Sequence, residues 1–264
     1  MSQRKFAIVT GASTGIGFEL AHCAARDGYD LLVVADEPLI EASAADFRQH
    51  GVEVTAVEAD LSTDEGVGQL LAATGGRPID VLVANAGRGL GHGFLEQDPA
   101  DWRKVIDINI TGTLLLVHQV GQAMATRGEG RILFTGSIAG FLPGVYQAVY
   151  NGTKAFIDNF AEALRQELKD TGVSVTNLLP GATDTEFFER ADMLDTQVGT
   201  DEHKDDPAKV AKDGWKALLA GDAYVVSGLK NKAQVLAAHV LPPSVLAERH
   251  RQMAQPGGGE EDKS

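Results

Sequence analysis

Short, largely apolar runs rich in β-branched residues recur along the chain at Phe6–Thr10, Leu31–Ala35, Val52–Val57, Val81–Ala84, Ile132–Thr135, Val173–Leu178 and Tyr224–Val226. Apolar residues on both faces of so short a run are the mark of a strand buried inside a parallel sheet. Helical periodicity fills the gaps, over residues 15–27, 38–50, 63–73, 99–126, 150–170 and 207–219. This alternation predicts the α/β class: a doubly wound parallel sheet of about seven strands with helices on both faces. The pattern runs without a composition break to about residue 250, which predicts a single domain over 1–254. Its last part, about 229–254, reads as an amphipathic extension interrupted at Pro242-Pro243, able to cover a pocket or to pack on another subunit. Residues 255–264, with Pro256-Gly257-Gly258-Gly259, read as a solvated, disordered tail with no core to join.

Composition narrows the choice of partners. The 264 residues are 44% hydrophobic and 23% charged, ordinary globular values that exclude a disordered chain. Acidic residues outnumber basic ones 37 to 23, a net charge of −14 that disfavours nucleic acid and anionic lipid. Cys23 is the single cysteine, so no intrachain disulfide forms, and its apolar helical neighbours predict an inert thiol. No stretch approaches the ~20 apolar residues of a membrane span, and the first apolar run is too short for a secretory leader. The expectation is a soluble, cytoplasmic protein. Between residues 184 and 206, nine acidic residues face only Arg190 and Lys204. A loop of that length is a lid over a pocket or a solvated excursion; as a lid it would disfavour strongly anionic substrates.

Candidate chemistry begins at Thr10-Gly11-Ala12-Ser13-Thr14-Gly15-Ile16-Gly17, directly after the first strand and opening the first helix. Glycines there allow a tight turn, close approach to a pyrophosphate and helix–strand packing, and the helix N-terminus offers free N–H groups. This places Gly11, Ser13, Thr14, Gly15, Ile16 and Gly17 against a dinucleotide in a Rossmann-type unit. The second strand ends in Asp36-Glu37 with no cation in the glycine loop, Arg48 being the nearest one downstream. An acidic residue at that point accepts a ribose 2′-OH and repels a 2′-phosphate, which favours NAD over NADP; alternatively Asp36 merely caps the next helix.

Tyr150 and Lys154 are four residues apart and share one helical face. A phenol with its pKa near 10 needs about 4 kcal/mol of preferential phenolate stabilisation to work near pH 7, and an adjacent ammonium is a ready source. Ser137 follows the strand Ile132–Thr135, where a parallel sheet delivers functional side chains, although it could simply cap a turn.

Taken with Asp60, Asn85-Ala86-Gly87, Asn109 and Pro180-Gly181, these elements resemble the short-chain dehydrogenase/reductase family over about residues 4–228. The resemblance implies that Tyr150 is the general acid/base and that Lys154 lowers its pKa and binds the nicotinamide ribose. It implies that Ser137 orients the carbonyl or alcohol and that Asn109 holds a relay water. It further implies cofactor contacts at Asp60 and Leu61 near the adenine, at Asn85, Ala86 and Gly87 along the cleft, and at Pro180, Gly181, Thr183 and Thr185 against the carboxamide. Thr183 replaces the family's usual aliphatic residue, so its contact would run through backbone. A homodimer or homotetramer through the long central helices is a further implication.

Other residues read blandly. Tyr146 precedes the helix out of register with Lys154 and lines the pocket or packs against the loop. His92, His118 and His203 lack metal-ligand spacing and read as surface or loop residues; Trp102 and Trp215 read as core or interface anchors. The functional expectation is reversible hydride transfer between NAD(H) and a secondary alcohol or ketone of small size. The alternatives are an NADPH-dependent 3-ketoacyl reductase of the same family and a non-catalytic dinucleotide-sensing protein, which would have no need of Tyr150 and Lys154.

Overall fold

The computed structural model describes residues 4–259. Its seven strands are β1 (Phe6–Thr10), β2 (Asp30–Ala35), β3 (Val54–Glu58), β4 (Val81–Ala84), β5 (Gly130–Thr135), β6 (Val173–Leu179) and β7 (Tyr224–Val226), all parallel, in the order β3-β2-β1-β4-β5-β6-β7. Alternate residues of β1 serve opposite faces. Ala7 and Val9 join a core with Leu20, Ala24, Trp215 and Leu218, while Phe6 and Ile8 join one with Val120, Phe134 and Ile157. Both faces are covered, which is why the strands show no polar alternation.

The helices before β5 are α1 (Gly15–Arg26), α2 (Leu39–Arg48), α3 (Asp64–Ala72), α4 (Pro99–Ile106) and α5 (Thr113–Arg127). After it come α6 (Ala148–Glu167), α7 (Phe187–Arg190), α8 (Gln197–Thr200), α9 (Pro207–Ala220), α10 (Leu229–Val240) and α11 (Pro243–Ala254). Chain order reverses at β1, which has β2 on one side and β4 on the other, and a crevice opens at the strands' carboxyl ends.

Four expectations change in detail. The third strand runs Val54–Glu58 rather than 52–57. The helix expected over 99–126 is two helices joined by a π-helical stretch, Asp107–Gly112. Residues 184–206 are not a plain loop but carry α7 and α8. The expected tail is also anchored as far as it is described: Gly257 N donates to Asp195 Oδ2 at 2.7 Å and Gly259 N to Asp195 O at 2.9 Å. Residues 260–264 lie outside the described part.

Candidate active site

The crevice contains a cavity of about 560 Å3, within the usual ~300–1,000 Å3 of a small-molecule site. Its glycine loop is built as the spacing demands. Gly11 and Gly15 adopt φ of +64° and +59°, and a Cβ on Gly17 would overlap the Gly11 carbonyl oxygen. Thr14, the N-cap of α1, makes no side-chain capping bond among the described residues, so first-turn N–H groups face the cleft. Asn85 fixes the loop: its Nδ2 donates to Thr10 O at 3.0 Å and Gly11 O at 3.2 Å, and its Oδ1 accepts from Thr135 Oγ1 at 3.0 Å. The cradle of N–H groups at this turn fits a diphosphate.

Every other residue expected at a cofactor lines this cavity too: Asp36, Asp60 and Leu61, Asn85 to Gly87, and Pro180, Gly181, Thr183 and Thr185. Asp36 is no helix cap, since α2 is capped by Pro38 with no side-chain bond among the described residues. Asp60 accepts from Ser62 N at 3.0 Å and pairs with Lys104 at 3.5 Å. Thr183 donates its hydroxyl to Gly181 O at 3.1 Å, and its own carbonyl accepts from Thr185 Oγ1 at 3.5 Å.

Tyr150 and Lys154 project from α6 into the cavity, with Lys154 Nζ 5.8 Å from the Tyr150 ring centre and donating to Thr135 O at 2.7 Å. Ser137 also lines the cavity and caps its own turn, accepting from Ala139 N at 3.1 Å. The turn-capping reading of Ser137 is thus observed, and its place in the cavity leaves the hydroxyl available to a ligand. A third residue continues the helical column: Asp158, four positions beyond Lys154. Its Oδ1 accepts from Asn177 Nδ2 at 2.9 Å, while Oδ2 has no partner among the described residues. Gly136 and Gly140, on either side of Ser137, have no Cβ because one would overlap this carboxylate. Asp158 thus seats the serine turn against α6. The sequence reading missed it; the i+4, i+8 spacing from Tyr150 was the available signal.

The electrostatics differ from the expectation. Burial lifts the Tyr150 phenol well above its ordinary value; a hydrogen bond with Ser137 opposes this and Asp158 adds to it. Burial pulls Lys154 down to about 8 against the pull of Asp158. Burial likewise pushes Asp158 up to about 6, opposed by Asn177, Lys154 and the Ser137 N–H. The ammonium shares its field with a carboxylate, so Tyr150, Lys154 and Asp158 form one coupled column along α6. Asn109 sits in the π-helical stretch and lies behind the cavity. Its Nδ2 donates to Thr153 Oγ1 at 2.9 Å and Arg88 O at 3.0 Å, and its Oδ1 accepts from Arg88 N at 2.8 Å.

The cover is mixed in charge rather than acidic. Residues 183–206 contribute Glu186, Asp201 and Asp205 to the lining, but also Arg190 and His203, while Lys230 and Arg249 come from α10 and α11. The extension therefore lines the pocket, with His250 tied to Val145 O at 2.9 Å and to Asn151 Nδ2 at 3.3 Å. Arg190 also corrects the expected lack of a cation near the end of β2, since its Nη2 bonds Glu37.

The sequence profile of short chain dehydrogenases matches residues 5–194. The chain belongs to the short-chain dehydrogenase/reductase family. A 3-oxoacyl-[acyl-carrier-protein] reductase of Synechocystis is 35% identical over 187 residues, 69% of this chain and 76% of its own length. The solved short-chain dehydrogenase of Sphingobium yanoikuyae in complex with NADPH is 28% identical, with a TM-score of 0.79 over 90% of this chain and 96% of that one. A dehydrogenase/reductase of Burkholderia phymatum in complex with NAD shares the fold at a TM-score of 0.82, with 24% identity over 90% of this chain and 93% of that one.

In this dehydrogenase the remaining singled-out residues are structural. Tyr146, at φ +63°, packs against Phe188, Ala191, Met193 and Ala254 instead of lining the cavity. Trp215 is buried and donates to Asp27 at 2.8 Å, whereas Trp102 is half-buried beside Phe94. Burial pushes the Cys23 thiol up to about 11, in keeping with an inert thiol. No group of three metal-ligating side chains forms among the described residues. No described helix is long and apolar enough to cross a membrane.

Proposed function

We propose that this enzyme moves a hydride reversibly between NAD(H) and a secondary alcohol or ketone, with Tyr150 as general acid/base. The observation that carries the reading is the meeting, in one cavity, of an N–H cradle at α1 with Ser137, Tyr150 and Lys154. Gly11 to Gly17 would hold the diphosphate, and Pro180 to Thr185 the nicotinamide end. The bound dinucleotide supplies the hydride acceptor or donor; the chain supplies everything that handles the proton and the substrate oxygen.

Ser137 would hold that oxygen within reach of the Tyr150 hydroxyl, and Tyr150 would give the proton to a ketone or take it from an alcohol. Lys154 stabilises the phenolate that forms, and Asp158 keeps Lys154 charged while seating the serine turn. Asn109, one layer behind, holds the loop of Arg88 to α6 and is the candidate to carry a relay water. Burial opposes ionisation of the phenol, so the proposed proton transfer depends on the hydrogen bond with Ser137 and on the Lys154 ammonium to offset that cost.

Asp36 at the end of β2 supports NAD over NADP. The 3-ketoacyl reductase reading, with NADPH, draws support from the Synechocystis relative and from Arg190 near the same end of the cleft. A cytoplasmic placement and association through α4–α6, where Phe156 is 40% exposed, complete the proposal. Tyr150→Phe should lower kcat at least ~10³-fold while NADH still binds, as read by fluorescence titration. Turnover within tenfold of the wild-type value would refute the assignment.

A further inference from the structure

At the carboxyl end of β2 the cleft is lined by Asp36, and the next residue, Glu37, is engaged from two sides. Ser13 Oγ, in the glycine loop, donates to Glu37 Oε1 at 2.5 Å. Arg190 stands 153 positions away in sequence, at the end of α7, and its Nη2 donates to both Glu37 oxygens at 2.9 and 3.1 Å. Its Nε donates to Glu186 at 3.1 Å, one turn earlier on the same strap, the segment 183–206 that carries α7 and α8. The strap passes close over the phosphate loop: a Cβ built on Gly15 would lie 2.9 Å from Thr185 Cγ2. Arg190 lines the same cavity as the glycine loop and Asp36.

Two carboxylates around one guanidinium leave the trio with net negative charge, and Asp36 adds to it. Side-chain exposures of 42% for Arg190 and 27% for Glu37 make the pair a small contributor to stability. Its consequence lies in what the guanidinium can offer a ligand. An arginine fork fits phosphate oxygens as well as carboxylate oxygens, and it stays charged at any working pH. Arg190, held at the β2 turn by Glu37, is therefore suited to receiving a ribose 2′-phosphate there, and Glu37 occupies it.

We propose that Glu37 masks Arg190 as a 2′-phosphate receptor, so that the strap and the β2 turn together set the preference between the two dinucleotides. The inference rests on the dinucleotide reading of the cleft and goes beyond the role expected of Asp36. Neutralising Glu37 removes both the competitor for the fork and one like charge from the phosphate's surroundings, while Glu186 keeps Arg190 in place.

The test is calorimetric titration of NADH and NADPH into the wild-type protein, Glu37→Gln, Arg190→Ala and the double variant. Glu37→Gln should tighten NADPH at least about tenfold and leave NADH within about threefold. Adding Arg190→Ala should abolish that gain, with NADH binding and the melting temperature retained as proof of folding. An unchanged NADPH affinity in Glu37→Gln, or a gain that survives in the double variant, overturns the proposal while leaving the dinucleotide reading intact. Failure of both dinucleotides to bind the wild-type protein would remove the reading itself, and this inference with it.

Discussion

Ser137, Tyr150 and Lys154 stand on a floor built from a sheet strand and the long helix packed against it, whereas Arg190, His203 and His250 reach the same cavity from segments outside the sheet. On the floor, β5 leads directly into the serine turn and α6 lies against it, with Gly136 and Gly140 giving up their Cβ atoms to the Asp158 carboxylate. The cover is tied down differently. Asp205 exchanges backbone bonds of 2.9 Å with Ala182 and Asp184, Asn231 donates to Asp205 at 2.6 Å, and a small apolar cluster packs around Phe188 and Met193. The difference separates the two proposed roles: the groups proposed to handle the proton sit on elements packed into the sheet, while the proposed ligand choice rests on contacts that one substitution can rearrange.

The sharpest way to break this comparison is to disturb the floor by a single methyl group. A Cβ at residue 140 would overlap Asp158 Oδ2 and press on the α6 backbone, 2.9 Å from Ala155 N and 3.0 Å from Lys154 C. Gly140→Ala should therefore cost ~1–3 kcal/mol by overpacking and lower kcat at least ~10²-fold by moving Ser137. Thermal melting and steady-state kinetics would check both. If turnover survives within threefold, the serine turn is not the rigid feature described here.

A gentler probe changes charge and leaves shape alone. Asp158→Asn keeps an oxygen for the Asn177 donor and puts an amide nitrogen at Oδ2, which has no partner among the described residues. The carboxylate raises the pKa of both Tyr150 and Lys154. Its removal therefore makes both groups lose their protons at lower pH. The acidic limb of kcat for alcohol oxidation should move down by about half to one pH unit, the scale of one charge at several ångströms in a partly wet site. A limb that stays in place, or moves to higher pH, would show that Asp158 acts through shape alone.

The floor was readable because its determinants are local. An apolar five-residue strand, a glycine turn and a helix start lie in one continuous stretch, Phe6 to Gly17, and each constrains the next. Tyr150 and Lys154 were readable by helical spacing. Asp158 obeys the same spacing, but a carboxylate two turns along a helix is ordinarily solvated, and only Gly136 and Gly140, eighteen or more residues upstream, marked the space it fills. The break at 107–112 was hidden because Ile106, Ile108 and Ile110 continue an apolar pattern while the backbone slips register. Arg190 was beyond local reading for a plainer reason: its partner is 153 residues away and its neighbours in sequence are acidic. The docking of 255–259 likewise depends on Asp195, whose place follows from how the strap folds.

The smallest effect expected concerns the cover's outer edge. His250 is 6% exposed, its ring bonded to Val145 O and to Asn151, and burial holds its pKa below the ordinary histidine value against the opposing bond to Val145. Because the docked ring takes up a proton less readily than the undocked one, docking is fully stable above the ordinary value near 6.5. It weakens as pH falls through 6.5 toward the depressed value, since the undocked state then binds more protons. Amide exchange over Pro243–Ala254 should thus speed up a few-fold between pH 7 and pH 5, after correction for intrinsic rates, while α6 stays protected over the same range. His250→Gln, which cannot charge, should flatten that dependence. If α6 and α11 respond alike, floor and cover open as one unit and the contrast between them dissolves; if only α11 responds, the substrate end of the cavity is separable from the chemistry beneath it.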